Sequence, residues 1–258
     1  MFHDRVPIRI REPPAIRGRQ SMSEQPSDPA TELAVDAPGV HRPGVLAEAL
    51  KRAAAALREA DVPFMLAGSM ACWARGGPEP FTKDVDFCVK PEHADRALDA
   101  LAAVGMATDR PPEGWLYKAW DEDILIDLLF APANVPVTDR VLERSDELLV
   151  LSVPMQVASI DDIMATKLLA LNESSIDYKQ LLQIGRALRE QIHWAPLHRR
   201  TCHSPYATAF FTLVEQLGVV NAEDLAGADE IPAEELPAPQ SEIHGRLGSK
   251  RGKTTDRT

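Results

Sequence analysis

Residues 66–87 read LAGSMACWARGGPEPFTKDVDF, and two features of this stretch decide the predicted fold. A Gly-Ser pair, Gly68 and Ser69, follows a short apolar run. Two aspartates, Asp84 and Asp86, then stand one residue apart inside the next apolar run. Carboxylates are costly among apolar residues unless a cation or hydrogen bonds compensate their charge. The stretch therefore predicts a strand, a turn into a short helix, and a second strand that carries a charged site.

The elements around this stretch are those of an α/β (α+β) protein. Amphipathic helical patterns at 45–60 and 92–104 alternate with strand-like runs. The strand-like runs are 62–67, 83–89, 115–120, 124–130, 148–153 and 155–159. From Ser159 onward the hydrophobic period is helical, and we expect three helices there. The predicted fold is a mixed sheet flanked by helices, followed by a C-terminal helical subdomain.

We expect four segments along the chain. Residues 1–43 are rich in proline, arginine and serine without periodicity, which predicts a disordered N-terminal extension. The sheet-forming core covers 44–158, and the helical subdomain covers 159–220. Residues 221–258 run acidic and then basic, which predicts a disordered charged tail.

Composition limits the classes of protein that the chain can represent. Hydrophobic residues make up 45% of the 258 residues, enough to fill a core. The three cysteines lie far apart, which favours a reducing compartment over a disulfide framework. Without an apolar run of membrane-spanning length or a signal-like segment, we expect a cytoplasmic protein with no membrane contact. The net charge of −11 argues against coating of nucleic acid through bulk electrostatics.

Strand alternation predicts that three carboxylates converge. Residues two apart in a strand share a face, so Asp84 and Asp86 point away from the apolar residues that follow each of them. In residues 124–130, ILIDLLF, Asp127 lies on the face opposite the isoleucines. If these strands are neighbours, three like charges gather, and such oxygen ligands suit Mg²⁺. The alternative is that these aspartates lie on the surface, at strand ends and edges.

The Gly-Ser turn favours the convergent site. Glycine lets a ligand approach the backbone, and N–H groups at a helix start attract phosphate. Gly68 and Ser69 would form an anion cradle beside the metal site, as a nucleoside triphosphate requires. Ser69 is also predicted to cap the helix 70–75. Arg75, at the end of that helix, would either reach phosphate or merely cover the surface.

Two charged residues of the helical half stand where apolar residues are expected. Lys167 falls within the apolar stripe of the helix 160–171. Its ammonium would either snorkel to solvent or meet an anion at the edge of the core. Asp177 projects onto the stripe of the next helix, 177–192, where its alternative role is to complement the helix dipole.

The order of these motifs resembles the nucleotidyltransferase fold of the DNA polymerase beta superfamily. The shared pattern is an apolar strand, Gly-Ser, a helix, Asp-x-Asp on the next strand and a later third aspartate. Within that superfamily, residues 45–217 resemble the AbiEii-like and MenT-like toxins of bacterial type IV toxin–antitoxin systems. The resemblance implies that Mg²⁺ is held by Asp84, Asp86 and Asp127, and that a nucleoside triphosphate is the co-substrate.

The toxin branch implies further roles. In that branch a lysine on the first helix after the sheet-forming core, and an aspartate soon after it, contribute to the active site. The resemblance gives these roles to Lys167 and Asp177. Where Asp177 stands, the family often shows the pattern Asp-x-x-Asp. In this chain the last residue of that pattern is Gln180 instead of aspartate. Thr82 matches a hydroxyl residue of the family motif and would contact phosphate; the alternative is a strand-edge threonine. The implied activity is nucleotide transfer to the 3′ end of tRNA, with a cognate antitoxin protein as partner.

Charge distribution bears on the acceptor. Residues 164–205 carry a net charge of +3, whereas 121–147 hold eight acids against two arginines. The helical half is therefore the predicted landing surface for an RNA backbone. A small cationic acceptor such as an antibiotic is the second interpretation, and the acidic hairpin at 121–123 would suit it. A non-catalytic nucleotide-binding regulatory module is the third.

Overall fold

The computed structural model describes residues 43–79 and 84–226. The predicted N-terminal extension, Thr82 and the tail beyond 226 therefore lie outside the described residues. The chain divides into two compact units, Met1–Ile163 and Met164–Thr258. The boundary falls inside a helix, a few residues beyond the predicted start of the helical subdomain.

Among the described residues, seven strands of the first unit form one mixed sheet. They are β1 Phe64–Leu66, β2 Asp84–Val89, β3 Ala107–Asp109, β4 Leu116–Asp121, β5 Ile124–Leu129, β6 Asp146–Val150 and β7 Val153–Val157. Their order across the sheet is β3-β4-β5-β2-β1-β7-β6. β2 pairs with β5, and β1 with β7, in parallel, and the other neighbours are antiparallel. The predicted mixed sheet is confirmed.

Alternating apolar residues give the central strands a buried face. In β5, Ile124, Ile126 and Leu128 are fully buried, and the residues between them are partly exposed. In β2, Val85 and Phe87 are fully buried in the same alternation. All three residues of β1 are buried. The alternation predicted for β2 and β5 is therefore present, and it leaves their polar residues on the other face.

The first unit also contains α-helices. They are α1 Pro43–Glu59, α2 Gly68–Ala74, α3 Ala94–Ala103 and α4 Asp139–Glu143. α1 and α3 pack on each other and on the central strands β2, β4 and β5. Leu50, Leu57 and Leu98 are the buried anchors of this layer. α3 ends before Gly105, whose positive φ of 87° is typical of a glycine that follows a helix.

Arg75 fastens the end of α2 to the strand β7. Its side chain is only 9% exposed. Its Nε donates to the carbonyl of Ala158 at 2.6 Å, and its Nη2 donates to the carbonyl of Val157 at 2.9 Å. The same Nη2 lies 3.0 Å from Asp146 Oδ2. Neither predicted role of Arg75, phosphate contact or surface cover, describes these bonds. They hold in place the helix that begins at Gly68.

The second unit is helical. α5 Ile160–Leu169 contains the boundary, and it is followed by α6 Tyr178–Ala187, α7 Trp194–Thr201, α8 Pro205–Gln216 and α9 Ala222–Ala226. Leu197, Phe210 and Val214 are fully buried in this unit. The sequence did not predict α7 or α9, because both are short and α7 has Pro196 in its first turn. No helix of the described part is long and apolar enough to cross a membrane.

Two serine side chains cap helices of the described residues. The hydroxyl of Ser159 accepts from the Asp162 N–H at 3.1 Å and donates to Asp162 Oδ2 at 2.8 Å, at the start of α5. Arg144 adds two bonds of 2.9 Å to the same carboxylate. The hydroxyl of Ser204 accepts from the Ala207 N–H at 3.3 Å, at the start of α8. These caps satisfy N–H groups that the helices leave unpaired.

Replacing Arg75 with methionine should lower the free energy of unfolding by about 2–3 kcal/mol, because two carbonyls at the end of β7 lose their donors. Urea titration of the full chain measures this loss. Arg110→Met is the matched control, since Arg110 pairs with Asp95 on the surface and its loss should cost less than about 1 kcal/mol. Equal losses in the two variants would contradict the anchoring role of Arg75.

Candidate active site

Parallel pairing of β2 with β5 brings the predicted carboxylates together. In the register of this pair Asp86 lies opposite Asp127, and Asp84 lies opposite Leu125. Neighbouring strands are about 4.8 Å apart, and residues in register share a face. Asp84 shares that face as well, because it precedes Asp86 by two residues. The strand adjacency that the sequence argument required is therefore present.

The charged row continues across two further strands. β4 pairs Lys118 with Asp127, and β3 pairs Asp109 with Lys118. One line across four strands thus carries Asp109, Lys118, Asp127 and Asp86. Lys118 Nζ donates to Asp127 Oδ1 at 3.1 Å. The sequence interpretation missed Lys118, although a hairpin that turns at 121–123 pairs it with Asp127 by counting outward from the turn.

Gly68 lies against the carboxylate of Asp86. A Cβ atom at Gly68 would stand 1.8 Å from Asp86 Oδ2 and 2.6 Å from its Cγ, closer than any side chain allows. The φ of Gly68 is +61°, a region that glycine adopts at the least cost. The N–H of Ala67 donates to the backbone carbonyl of Asp86 at 2.8 Å. The Gly-Ser turn and the Asp-x-Asp strand therefore form one site.

Ser69 does not cap the short helix, contrary to the prediction. α2 begins at Gly68, and its N-cap residue is Ala67, whose side chain makes no capping hydrogen bond. Ser69 is thus the second residue of the helix, and it is partly exposed. The prediction failed because the glycine turn lets the helix start one residue earlier than the serine. Ser69 directly follows Gly68, whose backbone lies against the Asp86 carboxylate.

Burial raises the pKa of Asp127. The hydrogen bond from Lys118 lowers the pKa, and the negative charge of Asp84 raises it again, with a net upward shift. Burial also raises the pKa of the Cys88 thiol, and the charges of Asp86 and Asp162 add to that effect. Cys88 therefore stays a neutral thiol at physiological pH, and the anionic groups of this face are carboxylates.

The donor set suits a hard divalent cation. The oxygens of Asp84, Asp86 and Asp127 are the ligand type that Mg²⁺ prefers, and the absence of a side chain at Gly68 leaves room for the Asp86 carboxylate. Within the described ranges, no three His, Cys, Asp or Glu side chains are already clustered around a common point for a metal ion. One oxygen of Asp127 is engaged by Lys118 instead. The residues thus fit Mg²⁺ by chemistry, without a preformed cage.

Lys167 and Asp177 lie in the second unit, beside the start of α6. Lys167 Nζ donates to Gln180 Oε1 at 3.0 Å. Asp177 Oδ1 accepts from the N–H groups of Lys179 and Gln180, at 3.1 and 3.3 Å. Asp177 is therefore an exposed N-cap and not a member of the apolar stripe, because α6 begins after it, at Tyr178. Their roles in an active site remain predictions.

Comparisons with known proteins give structural likeness alone. No known family profile matches the chain, and no curated protein sequence matches it. The antibiotic-resistance factor ANT(2'')-Ia is 15% identical with a TM-score of 0.49, over 69% of this chain and 97% of that chain. The lincosamide antibiotic adenylyltransferase LnuA is 12% identical with a TM-score of 0.41, over 58% and 98%. An antigenic nucleotidyltransferase-like protein from Paracoccidioides brasiliensis is 14% identical with a TM-score of 0.45, over 68% and 89%.

Identity and overlap at this level establish no shared activity. The function is therefore inferred from the side chains of the sheet. None of these three structures is described as a toxin, so the toxin branch stays a prediction.

Gly68→Ala should displace the Asp86 carboxylate, because the new methyl group would occupy its space. Gly76→Ala is the matched control: its φ is +91°, but no atom of the described residues lies within 4 Å of an added Cβ. Backbone strain alone should cost each variant about 1–2 kcal/mol of stability. Only Gly68→Ala should lose more than this and also lose Mn²⁺ binding, measured by calorimetry. Retention of Mn²⁺ binding would show that Asp86 tolerates the methyl group.

Asp127→Asn should stabilise the chain increasingly as the pH rises. The pKa of Asp127 is higher in the folded chain than its ordinary value of 3.8, so between the two values the folded chain holds more protons than the unfolded one. Stability then falls with rising pH, and asparagine removes this loss. Urea titrations at about pH 4 and about pH 7 should show a larger gain at the higher pH. Asp123→Asn, an exposed neighbour, should keep the wild-type slope.

Proposed function

We propose that the chain is a Mg²⁺-dependent nucleotidyltransferase that moves a nucleoside monophosphate from a nucleoside triphosphate to a hydroxyl acceptor. The observation that carries the proposal is the register of Asp86 with Asp127, next to a glycine turn that accepts no side chain. The glycine turn brings the backbone at the start of α2 against this carboxylate. Backbone N–H groups in such a turn attract phosphate, so a polyanion and its counter-ions would meet at this point.

The chemistry is an in-line displacement at the α-phosphorus. The acceptor oxygen forms a bond to phosphorus, the bond to the pyrophosphate oxygen breaks, and pyrophosphate leaves. The acceptor proton passes to a base, and Asp127 is the proposed one, since burial already raises its pKa toward the range useful for accepting a proton. Asp84 and Asp86 would hold Mg²⁺ together with Asp127.

Divalent cations at such a site neutralise phosphate charge and acidify the attacking hydroxyl. Residues of the chain would bind and position the triphosphate. The backbone at Gly68 and the hydroxyl of Ser69 would bind the triphosphate. We also assign phosphate contacts to Thr82 and Lys167, and a supporting role to Asp177, on the resemblance to the toxin branch. α2, held by Arg75, keeps the Gly-Ser turn fixed relative to the sheet.

The proposed acceptor is the 3′ end of tRNA, and the proposed biological role is that of a toxin with a cognate antitoxin. The toxin branch supports this acceptor through the motif order described above. The charge of the second unit supports it independently, because residues 164–205 carry a net +3 in a chain of net −11. A local excess of positive charge is what an RNA backbone requires.

Label transfer from α-labelled triphosphates to total tRNA tests the proposal on the full chain with Mg²⁺. Transfer should be lost on chelation, on periodate oxidation of the tRNA 3′ end, and in Asp86→Asn, which should be slower by about 100-fold or more. Asp123→Asn is the control and should transfer like the wild type. Expression of the wild type, but not of Asp86→Asn, should arrest growth.

Three other outcomes would decide against parts of the proposal. Label transferred to a cationic antibiotic but not to tRNA would replace the acceptor and keep the chemistry. Transfer by Asp86→Asn at the wild-type rate would remove the carboxylate row from the reaction. Triphosphate binding that needs no metal and gives no transfer to either acceptor would indicate a regulatory nucleotide-binding module.

A further inference from the structure

The charged row across β3, β4, β5 and β2 contains one cation among three anions. The side chain of Lys118 is 28% exposed and that of Asp127 is 15% exposed, so water only partly screens their ion pair. Lys118 Nζ is 3.1 Å from Asp127 Oδ1. The ammonium therefore bonds an oxygen of the residue that the proposed function assigns to both the metal and the acceptor proton.

We propose that Lys118 competes with the divalent cation for Asp127 and so regulates metal binding at the site. The inference rests on the proposed function, in which Asp127 is a metal ligand. An ammonium and a divalent cation bound to one carboxylate repel each other, and both are attracted by the negative charge of Asp127. Asp127 therefore becomes a full ligand only when Lys118 gives up Oδ1.

Asp109 offers the displaced ammonium a second carboxylate. It is the register partner of Lys118 on the other side, in β3, the outermost strand of the sheet next to β4. Opposite charges that face each other across two strands attract weakly. Asp109 is exposed, so an ion pair between Lys118 and Asp109 would lie at the edge of the sheet, away from Asp86. The chain thus holds a resident cation with one partner inside the proposed metal site and one outside it.

The decisive variant is Lys118→Gln, which removes the charge and keeps a hydrogen-bond donor for Asp127. Mn²⁺ binding to the full chain at about pH 8, read by electron paramagnetic resonance, gives the dissociation constant. Removal of the repelling charge should lower that constant by about tenfold. Lys118→Arg keeps the charge and should stay within about threefold of the wild type. A lysine with a purely structural role would leave the constant unchanged or raise it.

Two further variants test the direction of the effect. Asp109→Asn removes the outer partner and should weaken Mn²⁺ binding by about twofold to threefold, and only while Lys118 is present. Lys51→Gln is the matched control, because Lys51 pairs with Glu48 on the surface of α1 and should leave the dissociation constant unchanged. General destabilisation would weaken Mn²⁺ binding in both variants. It would not produce tighter binding in Lys118→Gln together with weaker binding in Asp109→Asn.

Failure of this inference is distinguishable from failure of the proposed function. An unchanged or raised dissociation constant in folded Lys118→Gln, while Asp86→Asn abolishes Mn²⁺ binding, overturns the role of Lys118 alone. Wild-type protein that binds no Mn²⁺, or binding that survives Asp86→Asn, overturns the proposed metal site and this inference with it. If Lys118→Gln does not fold, Asp109→Asn decides, and wild-type binding in that variant overturns the competition.

Discussion

The parallel pairing of β2 with β5 is the constraint on which the site depends. The apolar face sets its register, because a slip of one residue would turn Ile126 outward and bury Asp127 among core side chains. The core therefore holds Asp127 beside Asp86 whether or not their charges favour it. Like charges so close are unfavourable on their own, and Lys118 offsets part of that cost. Apolar packing thus provides the stability that lets the site keep its charges together.

The turn at Gly68 adds a second requirement, which is steric. β1 runs antiparallel to β2, so the chain leaves the sheet directly over the Asp86 carboxylate. Any residue with a side chain would push that carboxylate away. Arg75, one helix later, holds the same turn from its other end through backbone carbonyls after β7. The packing of Gly68 on Asp86 and the hydrogen bonds of Arg75 therefore position α2 at both ends, and with it the backbone of the proposed phosphate contact.

Much of the first unit follows from the sequence through strand alternation. Period-two patterns in β2 and β5 identified the buried faces, and the acidic turn at 121–123 identified the β4–β5 hairpin. The proximity of Asp127 to Asp84 and Asp86 needed one assumption, that their strands are neighbours, and the structure bears it out. Lys118 was predictable from the hairpin by the same counting. Composition and the chemistry of single residues did not single out Lys118, because a lysine in a strand is not unusual by itself.

Other features depend on contacts that no local pattern encodes. Ser69 has the chemistry of a cap, yet the positive φ of Gly68 starts the helix before it. Arg75 looks like a surface residue in the sequence, because its acceptors belong to a strand some eighty positions away. Asp177 was placed on a stripe because helical periodicity does not show where a helix begins. The role of Arg75 was decided by tertiary contacts, and the roles of Ser69 and Asp177 by the residue at which a helix begins.

The hairpin of β4 and β5 also orders events during synthesis on the ribosome. β1 and β2 emerge first and can pair, which exposes Asp84 and Asp86 before the third carboxylate exists in the nascent chain. Lys118 and Asp127 then emerge almost together, nine residues apart, on two arms of one turn. Asp127 can therefore reach β2 already accompanied by Lys118, so that part of its negative charge is compensated before the growing polypeptide docks it.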